Sequence, residues 1–229
     1  MNKYLIISDI HLGDKHSRAD LVLKVLKENK AKTIIIAGDL FDHHNLHRLN
    51  KTHWKVLSKL RKLSKKCKII YLIGNHCFLK AEFMSILLGF NCKDEHIIDL
   101  KDEKVLVVHG DIFDIFSTKW KWATNFIIKF YYFLRKFTSF ANDILQLPHN
   151  KNMPLAKKIL RTRQNAINYI ELNGYDKVIC GHTHFPEKNK KYINTGSFCQ
   201  KKIFKENFNS HKASFVVIDR KNKIQIKKY

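Results

Sequence analysis

Five short runs of the chain are apolar at nearly every position and rich in β-branched residues: 4–8, 33–37, 68–73, 104–108 and 177–180. A strand that alternates apolar and polar residues buries one face. A run apolar throughout buries both, as in the interior of a layered α/β fold. Between these runs the period changes. Residues 18–28 carry apolar side chains at 19, 21, 22, 23, 25 and 26, and residues 50–66 place Trp54, Leu57, Leu60 and Leu63 at spacing three with lysines between them, which predicts two amphipathic helices. The alternation predicts an α/β fold around a largely central sheet, with further strands around Tyr192, over 213–219 and over 223–226. Residues 113–170 break the rhythm. They are helical in composition and strandless, with Pro148 and Pro154 bracketing a turn. We read them as a helical lid inserted in a core made of residues 1–112 and 171–229.

Each of the five strand-like runs ends in polar, metal-ligating residue types. Asp9-Ile10-His11 follows the first, Gly38-Asp39 the second, Gly74-Asn75-His76 the third, His109-Gly110-Asp111 the fourth and Gly181-His182-Thr183-His184 the fifth. In α/β sheets ligands bind beyond the carboxyl ends of the strands, so the five ends predict one site. Gly38, Gly74, Gly110 and Gly181 are expected to let the chain turn there. Any one of these pairs alone is compatible with a structural role, and the weight lies in the coincidence of all five. A mixed set of carboxylate, imidazole and amide donors suits manganese, iron or zinc. Asp9, His11, Asp39, Asn75, His109, His182 and His184 are too many donors for one ion with open positions. They suit two ions about 3.5–4 Å apart that share a carboxylate.

Composition narrows the setting. Hydrophobic residues make up 45% of the 229, which excludes a disordered chain. Lysine and arginine number 43 against 20 aspartate and glutamate, a net charge of +23, which implies an anionic partner. The five cysteines form no C-x-x-C pair, so a reducing compartment is expected, and the N-terminal apolar run is too short for a signal peptide.

The motifs resemble those of the calcineurin-like metallophosphoesterases, D-x-H, G-D, G-N-H, H and G-H-x-H, found here as Asp9-Ile10-His11, Gly38-Asp39, Gly74-Asn75-His76, His109 and Gly181-His182-Thr183-His184. The resemblance implies a four-layer α/β/β/α sandwich. It also implies two divalent cations, manganese foremost with iron or zinc as alternatives. Asp9, His11, Asp39 and His184 would hold one ion and Asp39, Asn75, His109 and His182 the other, with Asp39 bridging. His76 would serve as proton donor to the leaving oxygen. The family usually follows Asn-His with Asp or Glu, which orients the histidine. This chain has Cys77 there, and Asp42 and Asp111 are the candidates to replace that carboxylate.

Within the family the chain resembles the UDP-2,3-diacylglucosamine diphosphatase branch of lipid A synthesis. The shared features are Gly38-Asp39-Leu40-Phe41-Asp42, His109-Gly110-Asp111, Gly181-His182-Thr183-His184-Phe185-Pro186 and the insert between them. That branch usually has Arg then Asp after the asparagine of the third motif, so His76-Cys77 departs at both positions. The branch implies a lipid-linked nucleotide sugar as substrate, split into UMP and an acylated sugar 1-phosphate. The insert combines aromatic and basic residues over 119–137, which suits an interfacial helix on an anionic membrane. The expected setting is therefore cytoplasmic and peripheral to the inner leaflet, with no protein partner inferred. Trp120, Trp122 and Phe126 are candidate substrate contacts, and Lys157, Arg161 and Arg163, at helical spacing, are candidate contacts to its phosphates. Two other readings fit the same core: a phosphoesterase acting on nucleic acid, which the dense aliphatic content of the insert disfavours, and a non-catalytic binding module.

Overall fold

The computed structural model describes residues 1–76, 81–115, 130, 133, 154–199 and 213–229. In chain order the described elements are β1 (Asn2–Ile7), α1 (Ala19–Glu28), β2 (Ala31–Ala37), α2 (Lys51–Ser64), β3 (Lys68–Leu72), α3 (Ala81–Leu88), β4 (Asn91–Lys93), β5 (Glu95–Leu100), β6 (Glu103–Val108), α4 (Ile112–Ile115), α5 (Leu155–Asn173), β7 (Lys177–Cys180), β8 (Glu187–Lys188), β9 (Tyr192–Asn194), β10 (Ser214–Ile218) and β11 (Ile224–Lys228).

The strands form two sheets, not one central sheet. The first has the order β11-β10-β1-β2-β3-β4 and the second β5-β6-β7-β9-β8. Strands β1 to β4 pair in parallel, as do β6 with β7 and β7 with β9, while β10 and β11 add an antiparallel edge. The period of two within each apolar run decides the layers. Ile6, Ile35, Ala37, Ile70 and Leu72 of the first sheet pack against Ile98, Val105, Val107, Ile179 and Ile193 of the second. Their neighbours Leu5, Ile7, Ile34, Ile36, Ile69 and Tyr71 point the other way, onto Val22, Val25, Val56, Leu60 and Met84 of the helices α1, α2 and α3. On the far side Leu106, Val108, Val178 and Cys180 meet Ala166, Tyr169 and Ile170 of α5. The result is the four-layer α/β/β/α sandwich that the motifs imply. A run apolar on both faces cannot tell one central sheet from two stacked ones, because it does not say what each face meets.

Two details differ from the sequence expectation. In α2 the buried residues are His53, Val56, Leu57 and Leu60, and Trp54 is exposed. A strict spacing of three drifts round a helix of 3.6 residues per turn, so the inward face follows the three–four rule instead. In addition α5, assigned to the insert as far as residue 170, forms the outer layer of the second sheet. Pro154 stands at its N-cap and Gly174, left-handed at φ 71°, ends it. Most of the remaining insert, including Trp120, Trp122 and Phe126, lies outside the described residues, as does Cys77.

Candidate metal centre

The parallel strands of both sheets point their carboxyl ends to one rim, which is why five separate loops meet there. The loop after β1 carries Asp9 and His11, that after β2 Asp39, and that after β3 Asn75 and His76. From the second sheet come His109 after β6 and His182 and His184 after β7. Five of these residues have left-handed backbone: Asp9 (φ 49°), His11 (49°), Asp39 (45°), His182 (69°) and His184 (60°). Each such residue costs roughly 1–3 kcal/mol, and strain of this kind gathers where function over-determines the chain. Glycine serves two purposes around it. Gly38 has φ 85°, and a Cβ there would strike the His109 ring. Gly181 has no such φ, and a Cβ there would collide with the side chains of Ser8 and Asp9, so here the missing side chain matters rather than the turn.

The donor atoms converge. His184 Nε2 lies 3.1 Å from Asp9 Oδ1 and 3.2 Å from His11 Nε2. Asp39 Oδ2 lies 3.8 Å from His11 Nε2 and 3.3 Å from His109 Nε2, while Asn75 Oδ1 is 2.9 Å from the same His109 nitrogen. Three clusters result, Asp9-His11-His184, His11-Asp39-His76 and Asp9-Asp39-His109, each with its ligand atoms within 4.8 Å of one another. Asp39 Oδ2 lies between His11 and His109, and Asp9, His11 and Asp39 are each shared by two of the clusters. His182 enters none of these clusters. Its Nε2 is 2.8 Å from Asp114 Oδ2, and its backbone N–H donates to the Asp9 carboxylate at 3.0 Å.

The electrostatics call for cations. Burial opposes charge on Asp9, yet His184 and His109 outweigh it and hold its carboxyl at about 2. Asp39 is likewise held well below the usual range against its burial, by His109, His11 and His76. Burial would lower His109, but Asp39 beside it raises the ring to about 10. Among the described residues the buried carboxylates are thus offset by imidazoles, and His11 Nε2 and His184 Nε2 face each other at 3.2 Å. A divalent cation among them would supply positive charge to the carboxylates and could accept a lone pair from each of the two nitrogens. The residues present therefore fit a pair of hard to borderline cations.

Neighbouring side chains aim these donors. Ser8 Oγ donates to Asp9 Oδ2 and lies 2.5 Å from Thr195 Oγ1, and Ser197 Oγ donates to Asp9 O at 3.0 Å. His109 Nδ1 is 3.0 Å from Ala37 O, which leaves Nε2 for the site. His76 N–H donates to Asp39 Oδ1 at 3.0 Å, and His76 Nδ1 is 2.9 Å from the backbone oxygen of Asp42. Of the two candidates to replace the family carboxylate, then, Asp42 reaches His76, and it does so through its carbonyl. Its side chain lies 3.4 Å from His11 Nδ1 and 3.1 Å from Arg48 Nη1. Asp111 is buried beside His109 and adds to the charge that raises it. Lys157 and Arg161 are exposed on α5, and Arg163 pairs with Glu187 at 2.5 Å. The α5 face nearest the site bears Lys158 and Thr162, both bound to Asp114. The sequence reading missed Asp114, and its one signal there was a carboxylate three residues beyond Asp111, at the edge of an almost acid-free stretch.

Comparison with known proteins bears on the same residues. UDP-2,3-diacylglucosamine hydrolase of Aliivibrio fischeri is 26% identical over 204 residues, 80% of this chain and 82% of its own. The Pseudomonas putida W619 protein of that name is 27% identical over 83% of this chain and 85% of its own, and the Edwardsiella ictaluri protein 28% identical over 80% and 76%. Among solved structures, a phosphoesterase from E. coli aligns over 98% of both chains at 17% identity, with a TM-score of 0.48. The family model of the calcineurin-like phosphoesterases matches residues 3–186, from β1 to just past the last pair of histidines. The chain belongs to that family and is a metal-dependent phosphoesterase.

Proposed function

We propose that the enzyme hydrolyses UDP-2,3-diacylglucosamine to UMP and 2,3-diacylglucosamine 1-phosphate. The observation that carries this reading is the likeness, over about four-fifths of the chain, to hydrolases named for that substrate. It is supported by clusters that bring Asp9, His11, Asp39, His109 and His184, five of the seven residues matching the family motifs, within metal-binding reach of one another. Water adds to the phosphorus nearest uridine, the bond from that phosphorus to the bridging oxygen breaks, and the sugar phosphate leaves.

Asp9, His11, Asp39 and His184 would hold one cation and Asp39, Asn75, His109 and His182 the second, with manganese the preferred metal. Bound there, the pair lowers the pKa of water and neutralises phosphoryl oxygens. The chain's own residues do the rest. His109 keeps Nε2 toward the site because Nδ1 donates to Ala37 O. His76 keeps Nδ1–H on Asp42 O, and in its doubly protonated form the hydrogen on Nε2 would be the one given to the leaving oxygen.

The acylated half of the substrate needs an apolar, membrane-facing surface. Phe130 and Phe133 are about half exposed, with ring centroids 6.4 Å apart, and the insert they belong to is basic and aromatic. This supports peripheral attachment to an anionic leaflet, and no helix among the described residues is long and apolar enough to cross a membrane. The test is hydrolysis of UDP-2,3-diacylglucosamine in mixed micelles against single-stranded DNA and bis(p-nitrophenyl) phosphate, each with manganese or with EDTA. Manganese-dependent release of UMP, with DNA left intact, is expected. Faster cleavage of DNA would replace the lipid reading with the nuclease one, and no cleavage of any substrate would favour a binding module.

A further inference from the structure

The chain places a carboxylate behind a metal-ligating histidine, and ties that carboxylate to the helix that follows the insert. Asp114, in the short helix α4, is mostly buried, at 13% side-chain exposure. One of its oxygens, Oδ2, lies 2.8 Å from His182 Nε2 and 3.5 Å from Lys158 Nζ. The other, Oδ1, accepts from Thr162 Oγ1 at 2.9 Å. Lys158, Thr162 and Asn165 follow one another at helical spacing on α5, and Asn165 Nδ2 donates to Phe113 O at 2.8 Å. Phe113 and Tyr169 pack edge to face at 5.7 Å, so α4 and α5 meet as a locked pair.

A carboxylate is an acceptor only, so the hydrogen on this contact belongs to His182 Nε2. A neutral imidazole that holds its proton on Nε2 has its lone pair on Nδ1. The His182 ring also stands edge-on to His109, with centroids 5.2 Å apart, and its backbone N–H is fixed to Asp9. We propose that Asp114 is a positioning residue that selects the Nε2–H tautomer of His182, presents Nδ1 as its metal-binding atom, and makes retention of the second cation depend on the seating of α5 through Thr162. The proposal rests on the two-cation reading of the site and is independent of the substrate.

Manganese titration of the metal-free protein by calorimetry, with electron paramagnetic resonance of the loaded samples, separates these dependencies. The wild-type protein should bind two ions and show an exchange-coupled spectrum. Asp114→Ala should weaken one of the two binding steps by about 10–100-fold and abolish the coupled spectrum, with the other step within about threefold of wild type. Thr162→Val should shift the same step in the same direction by a smaller factor, and Thr162→Ser should restore it. The metal-free melting temperature of the threonine variants guards against general unfolding. Equal weakening of both steps, or two wild-type steps in Asp114→Ala, would overturn the positioning role. A wild-type chain that takes up one ion or none would instead overturn the two-cation reading, and this proposal with it.

Discussion

On one side of Asp39, the buried Nδ1 atoms of His11 and His184 have no hydrogen-bond partner among the described residues, and the Asp42 carboxylate comes no nearer than 3.4 Å to that of His11. On the other side, His109 and His182 each commit one ring nitrogen to an oxygen, Ala37 O at 3.0 Å and Asp114 Oδ2 at 2.8 Å. The second pair is therefore aimed by acceptors behind the rings, and the first, without such hydrogen bonds, depends more on the path of the chain. Damage should follow the same division. Changes that move backbone should disturb the Asp9-His11-His184 half, whereas loss of an acceptor should disturb the His109-His182 half.

Asp39 belongs to both halves, so its substitution should erase the distinction and have the largest effect. In Asp39→Asn, manganese-dependent cleavage of bis(p-nitrophenyl) phosphate should fall at least about a thousandfold, because charge shared by two cations is lost where the phosphoryl group is neutralised. Metal analysis of the same protein should show both ions depleted. Retention of a tenth of wild-type turnover would mean that Asp39 does not bridge.

A narrower change should touch the chain-aimed half. Gly181→Ala puts a methyl group against Ser8 and Asp9, both fully buried, with Ser8 tied to both Asp9 and Thr195. Overpacking of this kind costs about 1–3 kcal/mol, measurable by urea unfolding. Occupancy should drop first at the ion held by Asp9. Gly38→Ala, whose Cβ meets the His109 ring, is the matched change for the other half. If the two variants lose the same ion, the halves are not held separately.

The same contrast explains what the sequence made legible. The seven candidate ligands were readable because each lies within a few residues of the end of a strand buried on both faces, such as Ile34-Ile35-Ile36 before Asp39 or Val178-Ile179-Cys180 before His182. Strands β4 and β8 were not, since three or two residues with exposed positions carry no period. Ligand aim was less legible than ligand identity. The acceptors for His109 and His76 are carbonyls of Ala37 and Asp42, and a backbone oxygen leaves no mark on residue type. On α5 the lysine and arginine content pointed to Lys157, Arg161 and Arg163. The residues facing Asp114 are Lys158 and Thr162, and a shift of one position on a helix turns a side chain by about 100°.

Acidity offers the smallest and most direct probe of why cations belong here. In the metal-free protein Asp39 raises His109 to about 10 from an ordinary 6.5 in spite of burial, and Asp9 is held at about 2 against an ordinary 3.8. The raised histidine stabilises the folded state below about 6.5, and that contribution is lost as pH rises toward about 10. The lowered carboxyl stabilises above about 3.8 and is lost as pH falls toward about 2. In EDTA the melting temperature should therefore be highest between about pH 4 and 6.5 and should decline from about 6.5 to 8.5. A cation replaces the proton on His109, so manganese-loaded protein should hold its melting temperature over that alkaline stretch, with the gap between the two curves widening. Scanning fluorimetry in paired buffers reads this directly. An EDTA curve that stays flat or rises from pH 6.5 to 8.5 would show that the Asp39–His109 pair does not carry the positive charge that the site requires.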